Sequence, residues 1–145
     1  MDQRMNLGEI APEGYRAVLG LEKYLHKSLD ARLLDLVKLR ASILNGCAYC
    51  VDLHGTDLIK QGADMRQVLG VSTWWEFPGF DARERAALAL TDAVTKLGEY
   101  GVSDEVWDTA RAAFTDKEVA DLILAIGTIN LWNRIGVTTR MHPAV

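Results

Sequence analysis

The chain has 145 residues, 49% of them hydrophobic and 25% charged, which is the length and mixture of one soluble globular domain. A chain of this size buries about 70% of its unfolded surface, so one core forms without covalent staples. The net charge of −4 argues against a nucleic-acid backbone as the main partner, because that partner needs a basic footprint.

No linker, repeat or low-complexity tract divides residues 1–145, so a single domain is expected. The beginning, Met1-Asp2-Gln3-Arg4, has no apolar stretch of signal-peptide type, and the longest apolar run, Leu122 to Trp132, is too short for a membrane span of ~20 residues. A cytoplasmic protein without membrane contact is expected.

In chain order, Pro12-Glu13 suits a first helical turn, and the segment runs to about Lys27. From Leu29 to Leu44 the apolar residues cover a wide arc, leaving Arg32, Asp35, Lys38 and Ser42 as a narrow polar stripe. A helix that apolar packs against several neighbours at once. Asn45-Gly46 supplies its stop. The next helix starts around Cys47 and Cys50 and ends by Gly62, and Asp64 caps a short one through Leu69. Gly70 to Asp81 reads as an aromatic loop that packs down, with Trp74, Trp75, Phe77 and Phe80. Asp81 opens a helix through Leu97, Ser103 one ending near Phe114, and Asp116 the last, Val119 to Ile135. No segment alternates with period two, so the expectation is an all-α fold of six to seven helices. The last helix is apolar nearly all round, which predicts a second subunit against it and hence a homo-oligomer.

Only two cysteines exist, three residues apart at Cys47 and Cys50. A bridge between them closes almost no loop and stabilises little, so the pair points to chemistry rather than stapling. At about 100° per residue, Cys47 and Cys50 lie about 60° apart on a helix, with His54 between them. A helix N-terminus favours the thiolate, and His54, four residues beyond Cys50, serves as base or proton shuttle. A zinc site is the competing use of Cys-x-x-Cys plus His, but its fourth ligand would have to come from His26, His142 or a distant carboxylate. Two small buried hydrophobes are the plainest alternative. A thioredoxin-type domain is excluded by the missing βαβ pattern.

The run Leu34-Asp35-Leu36-Val37-Lys38-Leu39-Arg40 through Asn45-Gly46-Cys47-Ala48-Tyr49-Cys50-Val51-Asp52-Leu53-His54 resembles the core motif of the alkylhydroperoxidase D-like group of the carboxymuconolactone decarboxylase superfamily. Glu84 to Leu90 with Ala93-Val94-Thr95, and Ile129 to Arg134, are similar to the same group, so the resemblance spans about residues 30–136. It implies an AhpD-like helical subunit that forms trimers or hexamers and carries thiol peroxidase or disulfide-reductase chemistry. It further implies that Cys50 is the peroxidatic thiolate, that Cys47 resolves it and meets an external dithiol or protein reductant, and that His54 belongs to a proton relay. The substrate implied is a hydroperoxide, with no metal or organic cofactor.

The relay of the group uses a glutamate where this chain has Asp35, one methylene shorter, so a bridging water or a shifted helix is expected there. The plain role for Asp35 is an ion pair with Lys38 or Arg32 on a solvated face. Glu84 is the substitute acid, with helix-dipole complementation as its plainer role. Tyr49 walls the site or packs, and Asn133 and Arg134 line a pocket, hold an interface or cap a helix. Lactone decarboxylation by His54 and a carboxylate, and a non-enzymatic redox adaptor, are the rival functions.

Overall fold

The computed structural model describes residues 2–145. Among them it has eight α-helices and no strand: α1 (Leu7–Ile10), α2 (Pro12–Ser28), α3 (Ala31–Asn45), α4 (Ala48–Lys60), α5 (Met65–Gly70), α6 (Ala82–Thr95), α7 (Asp104–Ala113) and α8 (Asp116–Thr139). A single 3-10 turn, Val71–Thr73, opens the aromatic loop. The expected all-α class is what the chain adopts. The count exceeds six to seven because α1, one turn long with no buried residue, has no apolar periodicity to reveal it.

The helix boundaries follow local chemistry. Asp30 caps α3, Asp64 and Asp81 form capping boxes with Gln67 and Glu84, and Ser103 caps α7. At α8 the cap is Thr115 rather than Asp116: its hydroxyl accepts from Glu118 N, and Asp116 becomes the first helical residue. The helix also runs four residues past Ile135 to Thr139. Gly46 ends α3 at φ 67°, a left-handed turn that glycine takes without strain.

α3 is the axis of the fold and packs against α4, α6 and α8. Every residue from Leu33 through Ser42 is buried, so the polar stripe of Asp35, Lys38 and Ser42 faces protein rather than water. On one side Leu34 and Val37 join Leu25, Leu90, Leu122 and Ile126 in a core between α2, α6 and α8. On the other, Leu36 and Leu39 meet Leu58, Val71, Phe80 and Leu88. Each such leucine contributes about 1.5–3 kcal/mol of burial. Within the aromatic loop Phe80 is buried, whereas Trp75 stays exposed with its ring over Arg40.

α8 is buried along one row, Leu122, Ala125, Ile126, Ile129 and Asn133, and bare along the other, where Ile123, Leu124 and Leu131 are exposed. Asn133 neither caps the helix nor lines a pocket. It is fully buried, donates to Ser42 Oγ at 3.0 Å and accepts from Asn45 Nδ2 at 2.9 Å. Asn45 also donates to Asn130. This amide network anchors the end of α3 and so fixes where the turn delivers Cys47. Arg134 folds back onto Asn130 at the surface.

Candidate active site

Cys47 is the N-cap of α4, and its Sγ accepts from Cys50 N at 3.4 Å. Its own N–H donates to Ser42 O at 3.1 Å, which ties the cap to the buried end of α3. Cys47 and Cys50 are joined in a disulfide, their Cα atoms 5.3 Å apart, and both residues are buried. Gly136 of α8 backs the bridge. A Cβ added there would lie 2.8 Å from Cys47 Sγ and 3.6 Å from Cys50 Sγ, so only glycine lets α8 pass this close.

Cys50, His54 and Asp35 line one cavity of about 530 Å³. Its wall also includes Tyr49, Tyr15, Trp132, Glu22 and Lys38, and residues Gln3, Asn6, Leu7 and Gly8 complete it from the N-terminal segment. That segment is tied down by Arg4, whose N–H donates to Thr139 O at 2.8 Å and whose guanidinium donates to Thr138 O.

The acid and the imidazole meet directly. His54 Nδ1 lies 3.0 Å from Asp35 Oδ1, and both residues are buried. The shorter acid needs neither a bridging water nor a shifted helix, because antiparallel packing of α3 on α4 brings Asp35 beside the second turn of α4. The expected surface pair with Lys38 or Arg32 does not form. Arg32 pairs with Glu84 at 2.6 Å, and Lys38 pairs with Glu22. Glu84 closes the capping box of α6 and is absent from the cavity wall, which leaves it the plainer role. The second oxygen of Asp35 accepts from Gln61 Nε2 at 2.6 Å. Asp57 comes close as well: Asp35, His54 and Asp57 each offer a ligand atom within 4.8 Å of the others. With Nδ1 bonded to Asp35, the ring nitrogen left to a cation is Nε2.

A second polar group shares the cavity. Glu22 accepts from the buried ammonium of Lys38 and, through Oε1, from Trp132 Nε1 at 2.9 Å. His26 approaches the same carboxylate at 3.4 Å. Tyr15 stacks edge-on against Trp132 with centroids 5.4 Å apart. Sequence reasoning missed Glu22, Trp132 and Gln61. Glu22 and His26 stand four apart on α2, and Gln61 follows His54 by seven residues, two turns along one face. Those spacings were the available signals, and neither is specific.

Residues 12–93 match the carboxymuconolactone decarboxylase family. The chain belongs to that family. The uncharacterized protein YdfG of Bacillus subtilis is 36% identical over 138 residues, 94% of each chain. A crystal structure from Agrobacterium tumefaciens, of a protein of unknown function assigned to antioxidant defence as AhpD, superposes with a TM-score of 0.95 at 43% identity. It covers 99% of this chain and 100% of that one. An uncharacterized peroxidase-related protein from Ralstonia eutropha, with an AhpD core, gives 0.83 at 24% identity over 95% of this chain and 74% of its own. The fold is therefore AhpD-like, and this family member carries the Cys-x-x-Cys pair.

Proposed function

We propose that the protein is a thiol-dependent peroxidase, a dithiol oxidoreductase acting on hydroperoxides. One observation carries the reading: Cys50, bonded to Cys47 behind it, sits on the wall of a cavity beside a buried His54–Asp35 dyad. The membership of the family and its AhpD-like fold support it.

In the reduced enzyme Cys50 attacks the terminal oxygen of the hydroperoxide as thiolate. The S–O bond forms as the O–O bond breaks, and the departing alkoxide takes a proton to leave as alcohol. His54 is the group placed to move that proton, with Asp35 holding its ring. Cys47 then attacks the Cys50 sulfenic acid, water leaves, and the Cys47–Cys50 disulfide results. An external dithiol returns both sulfurs to thiols through a mixed disulfide. The site as drawn needs no metal or organic cofactor. The bare apolar row on α8 supports a homo-oligomer, which the resemblance to the AhpD-like group makes a trimer or hexamer; no described helix is long and apolar enough to cross a membrane.

The test is consumption of an organic hydroperoxide with a dithiol reductant by wild type, Cys50→Ser and Cys47→Ser. Turnover is expected only from wild type, with a trappable sulfenic acid in Cys47→Ser. Robust turnover by Cys50→Ser would overturn the roles. Lactone decarboxylation needs no thiol, so it survives both substitutions.

A further inference from the structure

Gln61 is the C-cap of α4, just before the chain turns at Gly62 with φ 99°. It is exposed as a residue, yet its amide reaches inward to Asp35 Oδ2 at 2.6 Å. Asp35 lies among the buried residues of α3 and has no Lys or Arg paired with it among the described residues: the ion pairs of its helix neighbours Arg32 and Lys38 go to Glu84 and Glu22. Among the described residues the carboxylate is thus held by two donors, one per oxygen, His54 Nδ1 and Gln61 Nε2.

That arrangement has a consequence for the imidazole. A carboxylate can pivot about its Cα–Cβ and Cβ–Cγ bonds, and with Oδ2 free it would swing off the line to Nδ1. With Oδ2 pinned, Oδ1 stays on that line, and a neutral His54 keeps its proton on Nδ1. Nε2 is then the nitrogen with the lone pair. We propose that Gln61 is a positioning residue of the site: by anchoring Asp35 it fixes His54 in the Nδ1–H tautomer and so keeps Nε2 ready to accept a proton. Its kinetic consequence rests on the thiol-peroxidase reading, whereas its consequence for the tautomer does not.

The experiment uses the full-length protein, reduced and oxidised, with wild type, Gln61→Met and Gln61→Glu. Methionine keeps the length and loses the donor; glutamate keeps the shape and replaces the donor with an acceptor. Far-UV circular dichroism serves as the fold control, and an exposed helix end tolerates both changes. The first readout is the tautomer of His54, from two-bond nitrogen–proton correlations of the imidazole, with no peroxide present. Wild type is expected to show Nδ1–H, and both variants a mixture with Nε2–H. The second readout is hydroperoxide turnover, where kcat is expected to fall about tenfold with KM unchanged. An unchanged Nδ1–H tautomer in both folded variants would overturn the proposal. A tautomer that shifts in a protein without peroxide turnover would leave Gln61 in its role and remove the peroxidase reading instead.

Discussion

Two aspartates are buried in the central helices, Asp35 on α3 and Asp121 on α8, and their surroundings differ in kind. Asp121 accepts from the Lys117 ammonium at 2.6 Å and from the Tyr24 hydroxyl at 2.6 Å. Burial pushes its carboxyl up, but those hydrogen bonds outweigh burial and hold it below the ordinary carboxylate value. Asp35 has an imidazole and an amide instead, neither a permanent charge. A carboxylate locked to an ammonium is a structural brace, while one bonded to an imidazole can take part in proton transfer. Burial of an acid is therefore no signal of function by itself; the partner decides.

Glu22 tests that rule hardest, because it lies on the cavity wall like Asp35 but is paired with a cation like Asp121. If the partner decides, Glu22–Lys38 behaves as a brace. Lys38→Met leaves a carboxylate beside a buried apolar chain and is expected to cost about 3–5 kcal/mol in urea unfolding. Adding Glu22→Gln to it removes the orphaned charge while keeping an acceptor for Trp132, and most of the loss should return. No recovery in the double variant would mean that Lys38 stabilises through packing of its stem rather than through its charge.

The sharpest form of the contrast exchanges each aspartate for asparagine. Asp35→Asn is expected to lower hydroperoxide turnover about 100-fold, because the imidazole loses its acceptor charge, a loss typical of general acid–base groups. Asp121→Asn should leave turnover within about twofold, a surface-like effect on a site that it does not touch. Comparable turnover in the two variants would erase the distinction between brace and relay.

Much of this was legible in the chain, and the parts that were not share a cause. Capping residues, the Asn45-Gly46 stop and the 3.6-residue apolar period are local signals, and they placed α2 through α7 within a few residues. Cys50 and His54 share α4, so their spacing put them on one face, whereas Cys47 stands just outside it as the extended N-cap. Asp35 came from resemblance, and its contact with His54 depends on how α3 crosses α4, which no local pattern encodes. Lys38 was visible as one member of a polar stripe and as a surface partner for Asp35. Its burial arises because α2 and α8 close over that stripe and supply Glu22 and Trp132. Gln61 reads as an ordinary surface residue at a helix end until Asp35 is seen beneath it.

The smallest effect concerns the brace alone and has a definite sign in pH. Because the carboxyl of Asp121 is lowered on folding, its ionised form contributes stability above the ordinary carboxylate value. That contribution is lost as pH falls through this value and below. At neutral pH, Asp121→Asn is expected to destabilise by about 1–3 kcal/mol, the cost of losing hydrogen bonds to a buried charged group. In acid the wild-type carboxyl takes up a proton and loses the same advantage, so the two unfolding midpoints should converge as pH falls through its lowered value. Asparagine titrates nowhere in this range, so convergence isolates the carboxyl at this one site. A gap that stays constant from neutral to acid pH would assign the cost to altered packing around Tyr24, and Asp121 would cease to be the charged half of the comparison.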